Sequence, residues 1–249
     1  MTSPPPRASS ELGLLQLLPN LLTLGAICAG LTAIRLAVQG DYLLAVQLII
    51  LAALLDGVDG RLARLLRSDS QMGAELDSLA DFLNFGVTPP LVLYFWALED
   101  TRSLGWIAAL VFAICCVIRL ARFNIAAKSE VPVDPAFFMG VPSPAAAILV
   151  MLPMYLSFAF ADRDILPDLV LALYMMAIGV LMIVRVPTYS FKKVRISREN
   201  AKFALLGAVV VGAFLLIYSW IALVGLCLAY IATVAWAWTV EPVRRRKGK

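Results

Sequence analysis

Residues 56–81 read DGVDGRLARLLRSDSQMGAELDSLAD, and this stretch decides what kind of molecule the chain makes. Asp56, Asp59, Gly60, Ala63 and Arg64 are separated by steps of three, one, three and one, so at about 100° per residue they share one helical face. Gly73, Asp77 and Asp81 step by four and also share a face. Two helices joined around residues 68–70 would therefore aim four carboxylates into one space. In an otherwise apolar chain that arrangement is expensive. Each acid near a bilayer interior costs roughly 2.5–3.5 kcal/mol, so four without partners would cost on the order of 10 kcal/mol. Bound cations would offset the cost. Two divalent ions cancel a charge of −4, and an all-oxygen ligand set suits Mg2+, Mn2+ or Ca2+ better than zinc. Gly60 and Ala63 interrupt the acid face with side chains too small to fill it, which leaves room for a ligand against the backbone. Arg64 is then placed to pair with phosphate.

The surroundings of the stretch identify a membrane protein. Of 249 residues 61% are hydrophobic and the mean hydropathy is +0.87, which excludes an ordinary soluble domain. Apolar runs long enough to span a bilayer, about 20 residues each, lie near 20–38, 42–66, 77–97, 104–126, 142–161, 166–187, 202–218 and 220–239. The expectation is an all-α, polytopic transmembrane helical bundle of about eight spans. A break around residues 218–220 separates the last two, with a single long kinked segment as the alternative. The proline pair Pro89 and Pro90 inside the third run predicts a kink. The chain contains no histidine, so His-based triads and most zinc sites are excluded and carboxylates remain as candidate general bases. The four cysteines, Cys28, Cys115, Cys116 and Cys227, lie inside apolar runs without a C-x-x-C pair and read as packing residues.

Orientation follows from the basic residues. With the N-terminus in the cytoplasm, 18 of the 21 lysines and arginines fall on the inner side, against Arg35, Arg102 and Arg163 on the other. The acidic stretch then opens to the cytoplasm of the cell, or inner, membrane. The domain expectation is a cytoplasmic tail and amphipathic lead-in over 1–17, a core transmembrane domain over 18–193, a basic loop and transmembrane pair over 194–240, and a basic cytoplasmic tail over 241–249. A cleaved signal peptide is disfavoured, because the first apolar run is long. The net charge of +4, the loop PTYSFKKVRISREN over 187–200 and the terminal RRRKGK suit an anionic lipid surface. Since a membrane chain already accounts for such basic ends, no nucleic-acid partner is expected.

The pattern Asp-x2-Asp-Gly-x2-Ala-Arg-x8-Gly-x3-Asp-x3-Asp, eight fixed positions in 26 residues, resembles the signature of the CDP-alcohol phosphotransferases. Further on, RLARFN over 119–124 and FMGVPSPA over 138–145 resemble elements of the bacterial phosphatidylserine synthase branch of that family. The likeness runs from about residue 18 to 193 and covers the last two spans only weakly.

That resemblance implies transfer of a phosphatidyl group from CDP-diacylglycerol to the hydroxyl of L-serine, with release of CMP. It implies a site of two divalent cations, Mg2+ or Mn2+, held by Asp56, Asp59 and Asp77, with Asp81 as further ligand and catalytic base. Asp56, Gly60, Ala63, Arg64 and Gly73 would seat the CDP moiety. Asn20 would join them through a PN-x-x-T element, although at an interface Asn20 and Thr23 also read as helix caps. Arg119 and Arg122 read either as positive-inside anchors or, with Asn84, as contacts to the acceptor. Asn84 falls seven residues after Asp77, close to the same face, which brings its amide within reach of the acid cluster. Phe85 and Gly86 read as packing and close approach. Family members often pair as homodimers. A sister enzyme using glycerol 3-phosphate, inositol phosphate or choline would share the central motif. A cation pathway would instead need acids distributed across the membrane, and these four cluster near one face.

Overall fold

The computed structural model describes residues 14–66, 68, 70–101, 103–128, 137–160, 166–184, 187–189 and 217–247. The first two helices form an antiparallel hairpin, α1 over Leu14–Val38 and α2 over Tyr42–Leu66. Gly40 makes the turn with φ +83° while its N–H and that of Asp41 bond back to the carbonyls of Ala37 and Leu36, the left-handed stop that glycine provides at low steric cost. Pro19 lies inside α1, because the helix begins at Leu14, ahead of the first apolar run. Ala26, Ala29, Ala33 and Ala37 form a buried stripe facing Ala45, Val46, Ile49 and Ala52 of α2. Such small side chains let two helices approach closely, the main source of association where lipid is as apolar as the core.

The third apolar run is continuous but irregular. α3, Gln71–Asp81, passes into a π-helical turn over Phe82–Val87, then α4 over Thr88–Leu93 and a second π segment over Tyr94–Leu98. The prolines give the cause. Pro89 and Pro90 cannot donate to the carbonyls of Phe85 and Gly86, and the backbone widens just before them so that the Thr88 N–H reaches Leu83 O, five residues back. The expected kink is thus absorbed as a wide turn.

α5, Ser103–Lys128, crosses in one piece. The run expected over 142–161 is a bent pair, α6 over Ser143–Val150 and α7 over Leu152–Phe160, with 40° between them where Pro153 removes a helical donor. α8 covers Asp168–Ile183 and α9 covers Ser219–Lys247, with a bend at Tyr218. Among the described residues the only strands are β1, Phe137–Met139, and β2, Pro187–Tyr189, paired antiparallel with Phe138 opposite Thr188.

By length and composition four helices can cross a membrane, or five if α6 and α7 form one span. The expected eight are not reached among the described residues: α8 has only 16 residues, the third run is broken by π turns, and 202–216 lies outside the described residues. So do 1–13, 190–201 and 248–249, which carry the N-terminal tail, most of the basic loop and the chain's last two residues.

The core lies where α5, α6, α7 and α8 meet, with Phe112, Met151, Met154, Tyr155 and Met175 at most 1% exposed. Outward positions are apolar as well: Leu21, Leu54, Ile114 and Trp236 are more than half exposed. Helices apolar on both faces belong in lipid, and the chain is a multi-pass membrane protein.

Candidate active site

The last two turns of α2 and the whole of α3 bring the acids together. Ser70 starts α3 by accepting a hydrogen bond from Gly73 N at 2.9 Å, an N-cap that closes the link after Leu66 and turns Asp77 toward α2. One carboxylate oxygen each from Asp56, Asp59 and Asp77 lies within 4.8 Å of the others. Asp59 is only 2% exposed, and the Thr23 hydroxyl of α1 sits 2.6 Å from its Oδ2 and 3.1 Å from the Pro19 carbonyl. Asp81 lies one turn further along α3 in hydrogen-bonding contact with Asp56. Two ionised carboxylates cannot make that contact without a proton or a cation between them.

Three charges at such spacing repel by about 3.5 kcal/mol per pair at an effective dielectric of 20. Asp56 Oδ1 and Asp59 Oδ1 are buried without a hydrogen-bond partner. Orphaned acceptor oxygens on α2, met by the Asp77 carboxylate from α3, are the donor set of a hard divalent cation. The cluster can therefore hold a metal ion.

Around the acids the small residues leave space. A Cβ built on Gly60 would meet nothing within 4 Å, and Ala63 is half-buried. Arg64 is exposed, its Nε donating to Gly60 O at 2.9 Å, which points the guanidinium along the open face of α2. Gly73 is tighter: a Cβ there would come within 3.0 Å of Asn20 Oδ1 and 3.1 Å of Ser70 Oγ. Asn20 thus stands at the rim of the acid cluster, on the α3 side.

The two arginines of RLARFN part company. Arg119 turns into the bundle, donates from Nη1 to Ser143 Oγ at 2.6 Å and interacts electrostatically with Asp81. Arg122 is exposed and donates to the Ile183 carbonyl at 3.0 Å, satisfying the C-terminal end of α8. Asn124 Nδ2 donates to Ser78 Oγ at 3.1 Å, tying α5 to α3 beside Asp77. Asn84 is 1% exposed with neither amide atom partnered, and it packs against Gly30 of α1 and Thr88. Gly30 is seven residues, about 10 Å of helix rise, beyond Thr23. Asn84 therefore faces α1 at a deeper level than Asp59. Phe85 is buried, and a Cβ on Gly86 would come within 2.9 Å of Cys116 Sγ, the packing and close approach expected of them.

Sequence reasoning gave no site role to Thr23, Ser143 or Tyr230. Thr23 follows Asn20 by three residues and so shares its face. Ser143 lies inside the FMGVPSPA element. Nothing in the sequence marks Tyr230, whose buried hydroxyl has no partner.

A family model for CDP-alcohol phosphatidyltransferases matches residues 16–185. The chain is 41% identical over 214 residues to the CDP-diacylglycerol–serine O-phosphatidyltransferase of Mycobacterium leprae, covering 82% of this chain and 70% of the relative. It is 36% identical over 227 residues to the enzyme of the same name from Mycobacterium tuberculosis, covering 90% of this chain and 78% of that one. Among solved structures, the phosphatidylinositol phosphate synthase of M. tuberculosis with CDP-DAG bound superposes with a TM-score of 0.52 at 21% identity, over 74% of this chain and 98% of that chain, a likeness of fold. The acid pattern of α2 and α3, the helical fold that presents it and these matches agree, and the chain belongs to the CDP-alcohol phosphatidyltransferase family.

Proposed function

We propose that this chain is a phosphatidylserine synthase: it transfers the phosphatidyl group of CDP-diacylglycerol to the hydroxyl of L-serine. The serine oxygen bonds to the phosphorus that carries the diacylglycerol, the bond from that phosphorus to CMP breaks, and the hydroxyl proton leaves to a base. The observation that carries this reading is Asp81, which touches Asp56 of the acid cluster on one side and interacts with the inward-facing Arg119 on the other. Phosphate chemistry and a receptor for an anionic acceptor thus meet at one carboxylate.

Asp56, Asp59 and Asp77 hold the cations, Mg2+ or Mn2+ and two per site, with Asp81 as a further ligand. Ions bound there supply charge neutralisation at the phosphoryl oxygens and at the departing CMP. Asp81 takes the proton from the serine hydroxyl. The open face at Gly60 and Ala63, flanked by Arg64, Gly73 and Asn20, receives the cytidine diphosphate group. Arg119 grips the serine carboxylate with its fixed guanidinium fork.

The site faces the cytoplasm across the inner membrane, supported by the partition of basic residues, and anionic lipids gather at that surface. Family resemblance supports a homodimer. An acceptor panel tests the function: purified enzyme with CDP-diacylglycerol and Mg2+ or Mn2+, CMP release measured with serine, glycerol 3-phosphate, inositol phosphate and choline. Serine alone should support rapid release. A clear preference for any other acceptor would move the chain to a sister activity.

A further inference from the structure

We propose that the last helix, α9, takes part in the acceptor site, its Tyr230 hydroxyl acting with Arg119 as a donor to the carboxylate of the amino-acid acceptor. This inference rests on the serine reading above and adds a specificity residue beyond 185, where the family model ends.

Gly140 turns the chain toward the start of α6. Its φ of +87° carries the chain from β1 over the end of α8, where a Cβ would run into the Met182 carbonyl and Val141 N bonds Leu181 O at 3.2 Å. Pro142, extended at ψ 143°, then starts α6 at Ser143. Ser143 is fully buried and accepts from Arg119 Nη1. The guanidinium is thereby fixed, yet its Nε is buried without a partner.

Tyr230 of α9 lies near the same arginine. It lines a small apolar cleft of about 190 Å3 with Val141 and Leu149, and Val141 lies two residues before Ser143. It interacts electrostatically with Arg119, as Asp81 does. Its hydroxyl is buried and also lacks a partner. A guanidinium Nε–H can only donate, and a tyrosine hydroxyl has one proton to donate. Buried donors left unpaired are costly, and two of them around one guanidinium call for an acceptor from outside the protein. A carboxylate fits, because its two oxygens are acceptors only when ionised. Asp81, which also interacts with Arg119, is then placed toward the acceptor's hydroxyl.

The test uses the full chain and steady-state CMP release with Y230F, which keeps the ring and removes only the hydroxyl. Losing one hydrogen bond to a charged group should raise the serine KM about tenfold. The KM for CDP-diacylglycerol and kcat should stay within about twofold of the unaltered enzyme, as should the thermal unfolding temperature in detergent. An unchanged serine KM overturns the inference. So does an equal rise in both KM values or a lowered unfolding temperature, since either makes Tyr230 a packing residue. If the unaltered enzyme shows no serine-dependent release, the functional reading itself falls, an outcome visible before any variant is made.

Discussion

At the scale of single residues the site depends on a few hydrogen bonds holding acids that repel one another. Thr23 supplies one of them to the nearly inaccessible Asp59. Thr23→Val keeps the shape and removes the donor. It should lower CMP release about tenfold and raise the metal concentration needed for half-maximal activity, since the orphaned carboxylate is less well oriented. A metal titration checks this, and an unaltered half-saturation point would deny Thr23 its role. The acids themselves should tolerate no neutral replacement. Asp56→Asn, Asp59→Asn and Asp77→Asn should each reduce activity by about a hundredfold or more while the protein still inserts. Full activity after exhaustive chelation would count against a metal site altogether. The arginines give the sharpest contrast. Arg119 is held by the buried Ser143, whereas Arg122 caps α8 from the surface. Lysine keeps the charge but loses the planar fork, so Arg119→Lys should raise the serine KM severalfold or more with little change for CDP-diacylglycerol. Arg122→Lys should leave both constants nearly as they were. A larger serine effect at Arg122 would reverse the assignment.

At the scale of elements, what the sequence revealed and what it hid both follow from helix regularity. The acids of residues 56–81 were legible because α2 and α3 are regular there, so that spacing translates directly into a face. Asn84 was not. Its expected place beside the acids assumed about 100° per residue from Asp77 onward, and the π turn over Phe82–Val87 adds a residue to that turn and shifts the phase. The pair Pro89 and Pro90 signalled a disturbance but not its form. Tyr230 was illegible for another reason: it belongs to a helix whose packing, chiefly against α7, leaves no periodic mark on either segment. Close helix contacts are hidden in the same way. Gly179 of α8 faces α5 so closely that a Cβ would sit 3.0 Å from Phe112 Cα, a backbone atom that cannot rotate aside. Gly179→Ala should therefore push α8 from α5 and destabilise the protein by about 1–3 kcal/mol. Thermal unfolding in detergent measures it, and an unchanged transition would mean the two helices separate freely. Since α5 carries Arg119, the same variant should weaken serine more than the metal cluster, which is built on α2 and α3.

At the scale of the whole molecule the two ends of the bundle differ in charge. The end that holds the acid cluster carries Arg61, Arg64, Arg119 and Arg122 around it. At the opposite end the α1–α2 turn, the 3-10 turn at Glu99–Thr101 and the start of α8 enclose a cavity of about 800 Å3 with Asp41, Glu99, Asp100 and Asp168 on its walls. Between them lies the apolar layer of Ala33, Val46, Ile49, Val92 and Phe112, none more than 3% exposed. A pathway for cations would need polar groups through that layer, which argues for a one-sided enzyme over a transporter. The asymmetry is the ground for the proposed orientation, because basic residues stay on the cytoplasmic side. Cysteine labelling decides it. In a chain with Cys28, Cys115, Cys116 and Cys227 replaced, Gln71→Cys marks the α2–α3 turn and Asp100→Cys the opposite end, both at exposed positions. An impermeant thiol reagent applied to intact cells should modify the cysteine at 100 and spare the one at 71 until the membrane is permeabilised. Labelling at 71 in intact cells would place the acids outside, and the charge argument for a cytoplasmic site would fail with it.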